Sequence, residues 1–269
     1  MKTYFAASDI HSFHWEWMQA LSNAGFDLNN PEHIIIVCGD LFDRGDQSLE
    51  CYEFVKNLTH QNRFIYIRGN HEDLLFDCCR SIGRTHIGRH HISNGTVKTI
   101  SHFLGISDYD VLCGVFDSKD YLNKVQPVLD FINEHSVDYY ELGDFIFVHG
   151  WVPTTITSED DHTTCIHENW RDGGWNEARW ENGMEMARFG IIIPDKTIVC
   201  GHWHTSWGWA REMPDIYSEW GPSATFRPYV NKGIVALDAC TVYNHFVNVV
   251  KFIETENGIE MEDLYHHGR

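Results

Sequence analysis

Seven short runs of β-branched and aromatic residues, almost all followed by polar residues, constrain the fold of this 269-residue chain more than any other feature. Apolar runs of this length are typical of strands that are buried on both faces of a sheet. The runs occupy residues 3–7, 33–38, 64–67, 144–148, 197–200, 233–237 and 246–253. We therefore predict a sheet structure whose strand ends carry polar side chains.

Helical patterns separate the first predicted strands. The segments 14–24 and 47–58 have apolar residues at helical spacing, and the segment 72–80 opens with acidic residues, as the first turn of a helix often does. Because strands and helices alternate, we predict a mostly parallel sheet with helices outside it.

The later part of the chain has a different pattern. Only a short turn region separates the strands at 233–237 and 246–253, so we predict that they form an antiparallel hairpin. The segments 105–123 and 151–189 have weak periodicity and are expected to form irregular loops, the second with short helices near the site. No linker or repeat marks a boundary in the sequence, so residues 1–269 are predicted to form one domain.

The charge balance disfavours one class of partner. Acidic residues outnumber basic ones by 39 to 20, which gives a formal net charge of −19. A long nucleic acid is not an expected partner, because binding it relies on Lys and Arg side chains that neutralise phosphates. No apolar run is long enough for a signal-peptide core or a membrane span. The eight scattered Cys residues indicate reduced thiols, and we expect a cytoplasmic protein.

Five predicted strand ends carry side chains that can bind ligands or take part in catalysis. In an α/β sheet, such residues face the crevice where ligands bind. The five segments are Asp9-Ile10-His11, Gly39-Asp40-Leu41-Phe42-Asp43-Arg44-Gly45, Gly69-Asn70-His71-Glu72, Val148-His149-Gly150 and Gly201-His202-Trp203-His204.

Each segment alone is weak evidence, because the chain has 18 His residues and a His after a strand is usually a structural residue. Together, the segments offer carboxylate, imidazole and amide oxygen groups at strand ends. This mixture suits divalent metals such as Mn, Fe or Zn. No thiolate belongs to the set, which argues against a structural zinc site. The combination predicts a metal centre.

In their order, the five segments resemble the signature of the calcineurin-like metallophosphoesterase family: D-x-H, G-D-x-x-D-R-G, G-N-H-E, H and G-H-x-H. The resemblance spans residues 9–204. The strings at 43–45 and 68–72 look most like the branch of bacterial and phage serine/threonine protein phosphatases and symmetrical dinucleoside tetraphosphatases. The resemblance implies an α/β fold, specifically a four-layer α-β-β-α sandwich with mixed sheets.

The resemblance also implies two divalent metal ions, with Mn as the metal expected to support activity in vitro and Fe or Zn as alternatives. The residues expected to bind metal are Asp9, His11, Asp40, Asn70, His149, His202 and His204. The first ion would take Asp9, His11 and, as in the wider superfamily, His204. Asp40 would bridge the two ions, and the remaining residues would bind the second. In the family, a hydroxide that bridges the metals attacks the phosphate.

Other residues of the same motifs are implied to act on the substrate. Arg44 would bind a phosphate oxygen with its planar guanidinium. His71 would protonate the leaving alkoxide, and Asp43 would hold the other ring nitrogen of His71 and keep the ring cationic. Asn70 is also expected to contact the substrate.

Three further features leave alternatives open. A second phosphate-binding Arg is expected before the last metal-binding His, where Arg179 matches best and Arg171 and Arg188 are the other candidates. Ser12 stands where the family often has Gly, and we expect it to cap the following helix. The Trp residues at 170–220 could stack on a nucleobase or an aromatic side chain, although ordinary packing is the favoured interpretation.

The predicted function is metal-dependent phosphoester hydrolysis, with phosphomonoesters in serine/threonine phosphoproteins as the first candidate substrate. Dinucleoside polyphosphates and 2′,3′-cyclic phosphates are the alternatives, since enzymes that act on them share the metal core. A catalytically silent metal-binding or scaffolding protein is the competing class, but it would predict a damaged ligand set. The expected partner is a phosphorylated protein or a small phosphoester substrate, and association with a membrane is not expected. The sequence does not predict an oligomeric state.

Overall fold

Two mixed β-sheets, a separate two-stranded sheet and the helices around them make up the fold in a computed structural model, which describes residues 1–82, 87–158 and 163–262. The strands are β1 (Thr3–Ala7), β2 (His33–Cys38), β3 (Phe64–Ile67), β4 (Ser136–Val137), β5 (Tyr140–Leu142), β6 (Phe145–Phe147), β7 (Thr154–Ser158), β8 (Thr163–Ile166), β9 (Thr197–Cys200), β10 (Tyr229–Asn231), β11 (Ile234–Ala236), β12 (Val250–Thr255) and β13 (Gly258–Met261). The helices are α1 (His14–Asn23), α2 (Ser48–His60), α3 (Asn70–Ser81), α4 (Arg89–Ser93), α5 (Thr96–Leu104), α6 (Asp108–Leu112), α7 (Ser118–Lys124), α8 (Gln126–His135), α9 (Trp175–Ala178), α10 (Gly183–Arg188), α11 (Thr205–Glu212) and α12 (Thr241–Asn244). Within these described ranges, none of the helices combines the length and the apolar character that crossing a membrane requires.

The first sheet has the strand order β13-β12-β1-β2-β3-β4. Strands β1 to β4 are parallel, whereas β12 and β13 are antiparallel to their neighbours. Phe5 and Ile35 pack with the helices on one face, and Ala6 and Ile36 pack against the second sheet on the other. Successive side chains of a strand point to opposite faces, so these apolar runs bury both faces, as predicted.

The second sheet has the order β10-β11-β9-β6-β5, with parallel strands at its centre and antiparallel strands at both edges. Its inner face contributes Phe147, Val199 and Val235 to the core between the sheets. Its outer face packs Ile146 and Ile198 with side chains of α10 and α11 and with several Trp residues. The layers are therefore helix, sheet, sheet and helix, and the predicted α-β-β-α sandwich is confirmed.

The predicted hairpin of the strands at 233–237 and 246–253 is wrong. Strand β11 lies in the second sheet beside β9, whereas β12 lies in the first sheet beside β1. The chain between them, which includes α12, crosses from one sheet to the other. Both strands bury apolar residues in the same core between the sheets. The hydrophobic pattern of each strand is therefore the same whichever sheet it joins. The short separation of the two strands in sequence does not show that they pair with each other.

The two segments predicted to be irregular contain more regular structure than expected. Residues 105–123 include α6 and most of α7, and residues 151–189 include the β7–β8 pair as well as the expected short helices α9 and α10. Four residues of the second segment, 159–162, lie outside the described residues. The β7–β8 pair has a register irregularity, which disturbs the alternating pattern that would have indicated strands.

Candidate active site

The polar residues that follow strands β1, β2, β3, β6 and β9 meet where the two sheets adjoin. They are Asp9, Asp40, Asn70, His149 and His202. The backbone N–H of His202 donates to Oδ2 of Asp9 at 2.9 Å and joins the second sheet to the first. Nε2 of His149 lies 2.8 Å from Oδ1 of Asn70. The predicted convergence of these strand ends is confirmed.

The loops that carry the site have unusual backbone conformations. Six of the eleven non-glycine residues with positive φ in the described part of the chain lie in the predicted motifs, and Ser12 directly follows the first motif. The six are Asp9, His11, Asp40, Asp43, Arg44 and His202. Such conformations cost on the order of 1–3 kcal/mol each and persist where the surrounding structure holds them, often at functional sites. Gly39 has a φ of 81° and allows a close approach, since a Cβ there would lie 2.4 Å from Nδ1 of His149.

Asp40 lies at the centre of the cluster. Its Oδ2 is 3.8 Å from Nε2 of His11, and its Oδ1 is 3.3 Å from Nε2 of His149. Oδ1 of Asp9 lies 3.8 Å from Nε2 of His11. Asp40, His149 and His202 each present a donor atom within 4.8 Å of the others. The arrangement could therefore hold a metal ion on either side of Asp40.

Backbone carbonyl groups orient the two histidines nearest to Asp40. Nδ1 of His11 lies 3.0 Å from the carbonyl oxygen of Phe42, and Nδ1 of His149 lies 2.7 Å from that of Cys38. A carbonyl oxygen can only accept, so each Nδ1 carries a proton and donates it. Nε2 is then the atom that faces Asp40, and such outer hydrogen bonds are typical of histidines that bind metals.

Burial and neighbouring charges shift the pKa values of this cluster. Burial alone would raise the pKa of Asp40, but His149 and His71 hold it well below its usual value. Burial opposes the charge on His149, but Asp40 outweighs this effect and raises the pKa of His149 to about 10. Burial, and then the charge of His149, lower the pKa of His202 to about 3. Asp40 is thus ionised and His202 neutral at pH 7, the forms in which these groups bind metals.

Glu72 holds the loop after β2 against the start of α3. Its Oε2 accepts hydrogen bonds from the N–H groups of Gly69 at 2.7 Å and Asp40 at 3.0 Å, and its Oε1 accepts one from Leu41 at 3.0 Å. The carboxyl is fully buried. Glu72 was assigned no role from the sequence. Glu72 is the third residue of α3, where a Glu side chain commonly bonds back to the cap. The predicted helix begins two residues later, at residue 72, so the sequence did not indicate this capping position.

Asp43 and His71 form a hydrogen-bonded pair, as expected, beside Arg44. Oδ2 of Asp43 lies 2.8 Å from Nδ1 of His71, and Nη2 of Arg44 lies 3.2 Å from Nε2 of His71. Two hydroxyl groups of α5 donate hydrogen bonds to the carboxylate of Asp43: Thr96 to Oδ2 at 2.9 Å and Thr99 to Oδ1 at 2.7 Å. These two threonines had no signal in the sequence, because α5 approaches Asp43 only in the folded chain.

The charge on His71 is governed by the carboxylates around it. Burial opposes its charge, but Asp40 and the hydrogen bond that Nδ1 donates to Asp43 outweigh this and raise the pKa of His71. Nε2 of His71 lies 3.9 Å from Oδ2 of Asp40. His11, Asp40 and His71 also present donor atoms within 4.8 Å of one another. His71 therefore lies beside the cluster. Its Nδ1 is bonded to Asp43, and its Nε2 faces Asp40.

His204 lies away from Asp40 in its described contacts. Its Nδ1 is 2.9 Å from the hydroxyl oxygen of Ser206, and its Nε2 is 3.6 Å from Oε1 of Glu219. Its ring centroid lies 4.5 Å from that of Trp220. The structure does not bring His204 into either donor group that contains Asp40.

Two of the three candidates for the second phosphate-binding arginine pair with carboxylates outside the cluster around Asp40. Nη1 of Arg179 lies 2.8 Å from Oδ2 of Asp73, and Nη2 of Arg179 pairs with Asp138. Arg171 pairs with Glu141 at 2.7 Å. In the contacts described for this chain, neither guanidinium reaches the cluster around Asp40. Arg179 instead ties α3 to the loop after β4.

The prediction that Ser12 caps the following helix is wrong. Helix α1 begins at His14, and its cap residue, Phe13, makes no side-chain capping bond. The hydroxyl of Ser12 lies 2.9 Å from that of Ser48, at the start of α2. The turn after His11 positions Ser12 between two helices, and this placement depends on the tertiary structure.

Most of the Trp residues pack in the core, and two of those at 170–220 lie at the surface. The favoured packing interpretation is confirmed for Trp170, Trp175, Trp207 and Trp209, which are buried behind the second sheet. Trp180 and Trp220 are 51% and 49% exposed. The ring of Trp180 lies 5.8 Å from that of His202.

Asp238 is a further strand-end carboxyl, outside the five predicted motif segments. It follows β11 and is buried, and its Oδ1 accepts a hydrogen bond from the N–H of Cys240 at 2.7 Å. Burial, and then repulsion from Asp9, raise its pKa well above the usual value. Its position directly after the predicted strand 233–237 was the signal that would have identified it.

The chain belongs to the calcineurin-like phosphoesterase family, whose model matches residues 3–206. The matched region contains all five motif segments and confirms the family recognised from them. The family is one of phosphoester hydrolases, and membership implies divalent metal ions at a cluster of Asp and His residues such as this one.

Named relatives match a part of the chain. An asymmetrical bis(5′-nucleosyl)-tetraphosphatase from Anoxybacillus flavithermus is 31% identical over 107 residues, which are 37% of this chain and 41% of that protein. A symmetrical bis(5′-nucleosyl)-tetraphosphatase from Actinobacillus succinogenes is 37% identical over 82 residues, which are 30% of this chain and 28% of that protein. The chain thus spans less than half the length of these relatives.

A solved structure shows the same fold. A protein serine/threonine phosphatase from Saccharomyces cerevisiae aligns with a TM-score of 0.53 and 14% identity, over 99% of this chain and 81% of that chain. At this identity, the similarity concerns the fold alone.

Replacing Thr99 by Val should destabilise the protein, because the buried carboxylate of Asp43 loses a hydrogen-bond donor. We expect the free energy of unfolding, measured by urea denaturation, to fall by about 1–3 kcal/mol. Thr59→Val is the matched control, since the hydroxyl of Thr59 donates within its own helix, α2, to the carbonyl of Val55 at 2.8 Å. An equal loss in the two variants would contradict a specific role for Thr99 in holding Asp43.

Proposed function

We propose that this chain hydrolyses phosphoesters at two divalent metal ions bound around Asp40. One observation carries the proposal. The two carboxylate oxygens of Asp40 face different imidazoles, Oδ2 towards His11 at 3.8 Å and Oδ1 towards His149 at 3.3 Å. A carboxylate placed in this way is suited to bridging two ions.

The chemistry of the donors matches such a centre. We assign Asp9, His11 and Asp40 to the first ion, and Asp40, Asn70, His149 and His202 to the second. Carboxylate, imidazole and amide oxygen donors suit Mn, Fe or Zn. Two metals held there would supply Lewis acidity and a nucleophile formed from water at neutral pH. The proton on Nε2 of His149, which faces Asn70 at 2.8 Å and Asp40 at 3.3 Å, is the one that a metal would replace.

His204 is a candidate addition to the first ion. Both of its ring nitrogens have partners, Ser206 at 2.9 Å and Glu219 at 3.6 Å. The ring would have to leave these partners to bind metal. We therefore place His204 outside the essential ligand set of the proposal.

The chain's own residues handle the phosphate and the leaving group. A guanidinium can only donate, so the 3.2 Å contact of Arg44 with Nε2 of His71 requires an unprotonated Nε2. When Arg44 donates to a phosphate oxygen instead, its guanidinium would move away from Nε2 of His71, and the phosphate would neutralise its positive charge. Asp40 and Asp43 would then favour protonation of the ring, so Nε2 could take up a proton from solvent and give it to a leaving alkoxide. Arg179, paired with Asp73, is proposed to support this region instead of binding phosphate directly.

The first candidate substrate is a phosphomonoester such as a serine/threonine phosphopeptide, which the motifs at 43–45 and 68–72 indicate. A dinucleoside polyphosphate is the second candidate. It is favoured by the exposed ring of Trp180 beside His202, on which a base could stack. The names of the tetraphosphatase relatives support the same candidate.

Asp40→Asn should remove metal and activity together, because the substitution takes the negative charge from the bridging position. We expect turnover of p-nitrophenyl phosphate to fall by about 100-fold or more, beyond the loss typical of changes outside the ligand set. Elemental analysis should show fewer metal ions per chain. Asp46→Asn is the control, since Asp46 is exposed and pairs with Lys98. A fully metal-loaded Asp40→Asn protein would contradict the assignment.

His71→Asn should keep the metals while slowing reactions that need protonation of the leaving group. General acid catalysis contributes about 100- to 10,000-fold, so we expect a loss of that order on an alkyl phosphate such as a phosphoserine peptide. The loss on p-nitrophenyl phosphate should be small, because its phenolate leaves without a proton. Equal losses on the two substrates would argue against His71 as the acid.

The two candidate substrates are separated by comparing a phosphoserine peptide with a dinucleoside tetraphosphate in the presence of Mn²⁺. Trp180→Leu should raise KM for the dinucleotide by about 5- to 10-fold, as expected for loss of one stacked base, and leave p-nitrophenyl phosphate unaffected. Trp15→Leu, which removes an exposed Trp from α1, is the control. Turnover of the peptide alone would eliminate the nucleotide candidate, and turnover of the dinucleotide alone would eliminate the phosphoprotein candidate.

A further inference from the structure

A second group of metal-type donors lies outside the proposed active site, between α3 and α4. Asp77, His90 and His91 each present a donor atom within 4.8 Å of the other two. Oδ2 of Asp77 lies 3.1 Å from Nε2 of His91. We propose that these three residues form a separate binding site for a late divalent transition metal, for which Zn²⁺ is the best match.

The imidazole of His91 is buried and directs one nitrogen at Asp77, as a metal ligand would. It is 1% exposed, and its Nδ1 has no hydrogen-bond partner among the residues that the structure describes. Burial, and then the neighbouring His90, lower the pKa of His91, so the ring is neutral at pH 7, which is the form that binds metals. Nε2 is the nitrogen directed at Asp77, and it supplies the donor atom.

The second imidazole is folded back towards the first. The ring centroids of His90 and His91 lie 3.9 Å apart. Gly88 makes this position possible, because a Cβ there would lie 2.5 Å from Cε1 of His90. The turn is fixed further by the carbonyl of His90, which accepts from the side-chain amide of Asn94 at 2.9 Å. His90 therefore lies against the turn, next to the other two donors.

A hydrogen bond between His91 and Asp77 is the ordinary interpretation of this contact. This hydrogen bond accounts for the positions of Nε2 of His91 and of the Asp77 carboxylate. It does not explain why the imidazole of His90 packs against that of His91. Arg80 offsets little of the negative charge of Asp77, since its Nη2 lies 3.9 Å from the other carboxylate oxygen and both side chains are largely exposed. Two imidazoles and a carboxylate are a common zinc ligand set.

The spacing of the donors is close to what zinc requires. Bond lengths of about 2.0–2.1 Å to nitrogen and oxygen place the donors of a tetrahedral site roughly 3.3 Å apart. The Asp77–His91 distance of 3.1 Å already matches. His90 and Asp77 are exposed and can rotate into place, and their exposure gives an ion access from solvent. The fourth position would be taken by water.

An ion at this site would link two helices that lead to the proposed active site. Helix α3 begins with Asn70 and His71, and α4 leads directly to the turn at Gly95. A Cβ at Gly95 would lie 2.4 Å from the backbone nitrogen of Arg44. The next residue, Thr96, holds Asp43. Zinc would therefore fix the segment against which the 43–45 loop packs.

The test counts zinc in the full-length protein. Wild-type chain, stripped with a chelator, is dialysed against micromolar Zn²⁺ beside the double variant Asp77→Asn/His90→Gln, and bound zinc is measured by elemental analysis. Both substituted residues are exposed, so folding should be preserved, and equal melting temperatures in chelator would verify this. We expect the double variant to bind one zinc ion fewer per chain. Since only the difference is used, the result does not depend on how many ions the site around Asp40 holds.

Two further proteins sharpen the test. The matched control, His60→Gln/Asp130→Asn, also removes one exposed His and one exposed Asp from helices and should bind as much zinc as wild type. Gly88→Ala keeps all three donors but displaces His90, and it should weaken binding of the extra ion by about 10-fold. Equal zinc contents in wild type and in Asp77→Asn/His90→Gln would overturn the proposal. A deficit that also appears in the control would overturn it as well, because the loss would then not be specific to these residues.

Discussion

The buried carboxylate of Asp40 is the group on which the site depends. It is 2% exposed, and an ionised carboxylate is unfavourable at such a position unless charges and hydrogen bonds compensate. His149 provides a partner at 3.3 Å, and the backbone N–H of His71 donates at 3.0 Å. His11 lies at 3.8 Å. These partners follow three different strands from both sheets, so the state of this one carboxylate requires the whole sandwich to be assembled.

The core between the sheets sets the distances within the site. Apolar residues of β1 and β2 pack against those of β6 and β9 and leave the polar residues at the strand ends to meet. The loops then adopt left-handed conformations that isolated chains would avoid. Glu72 holds one of these loops through three backbone N–H groups. The packed core between the sheets and the hydrogen bonds around the loops therefore maintain the strained backbone conformations.

Helix α3 connects several parts of the molecule. Its first turn carries Asn70, His71 and Glu72, which contact the cluster around Asp40. Six residues after His71 comes Asp77, roughly 9 Å further along at 1.5 Å per residue. The helix therefore reaches from the proposed general acid to the proposed zinc site. Helix α5 completes this arrangement, because its threonines hold Asp43, the partner of His71.

The sequence by itself determined the strand ends and what they carry. Strands β1, β2, β3 and β9 have the predicted bounds, because short buried runs and the polar residues after them are local features. The family signature in those polar residues pointed to the cluster of Asp and His side chains and to the pairing of Asp43 with His71. The proposed metal-binding roles remain predictions that rest on this geometry.

Only the tertiary structure decided which distant groups meet these residues. It assigned β11 and β12 to different sheets, engaged His204 with Glu219, and paired Arg179 with Asp73. It also brought Thr99 to Asp43. Each outcome depends on contacts between different elements or loops of the folded chain. Residue spacing determines which side chains share a strand or a helix, but the partners of a buried charge are determined by how those elements pack.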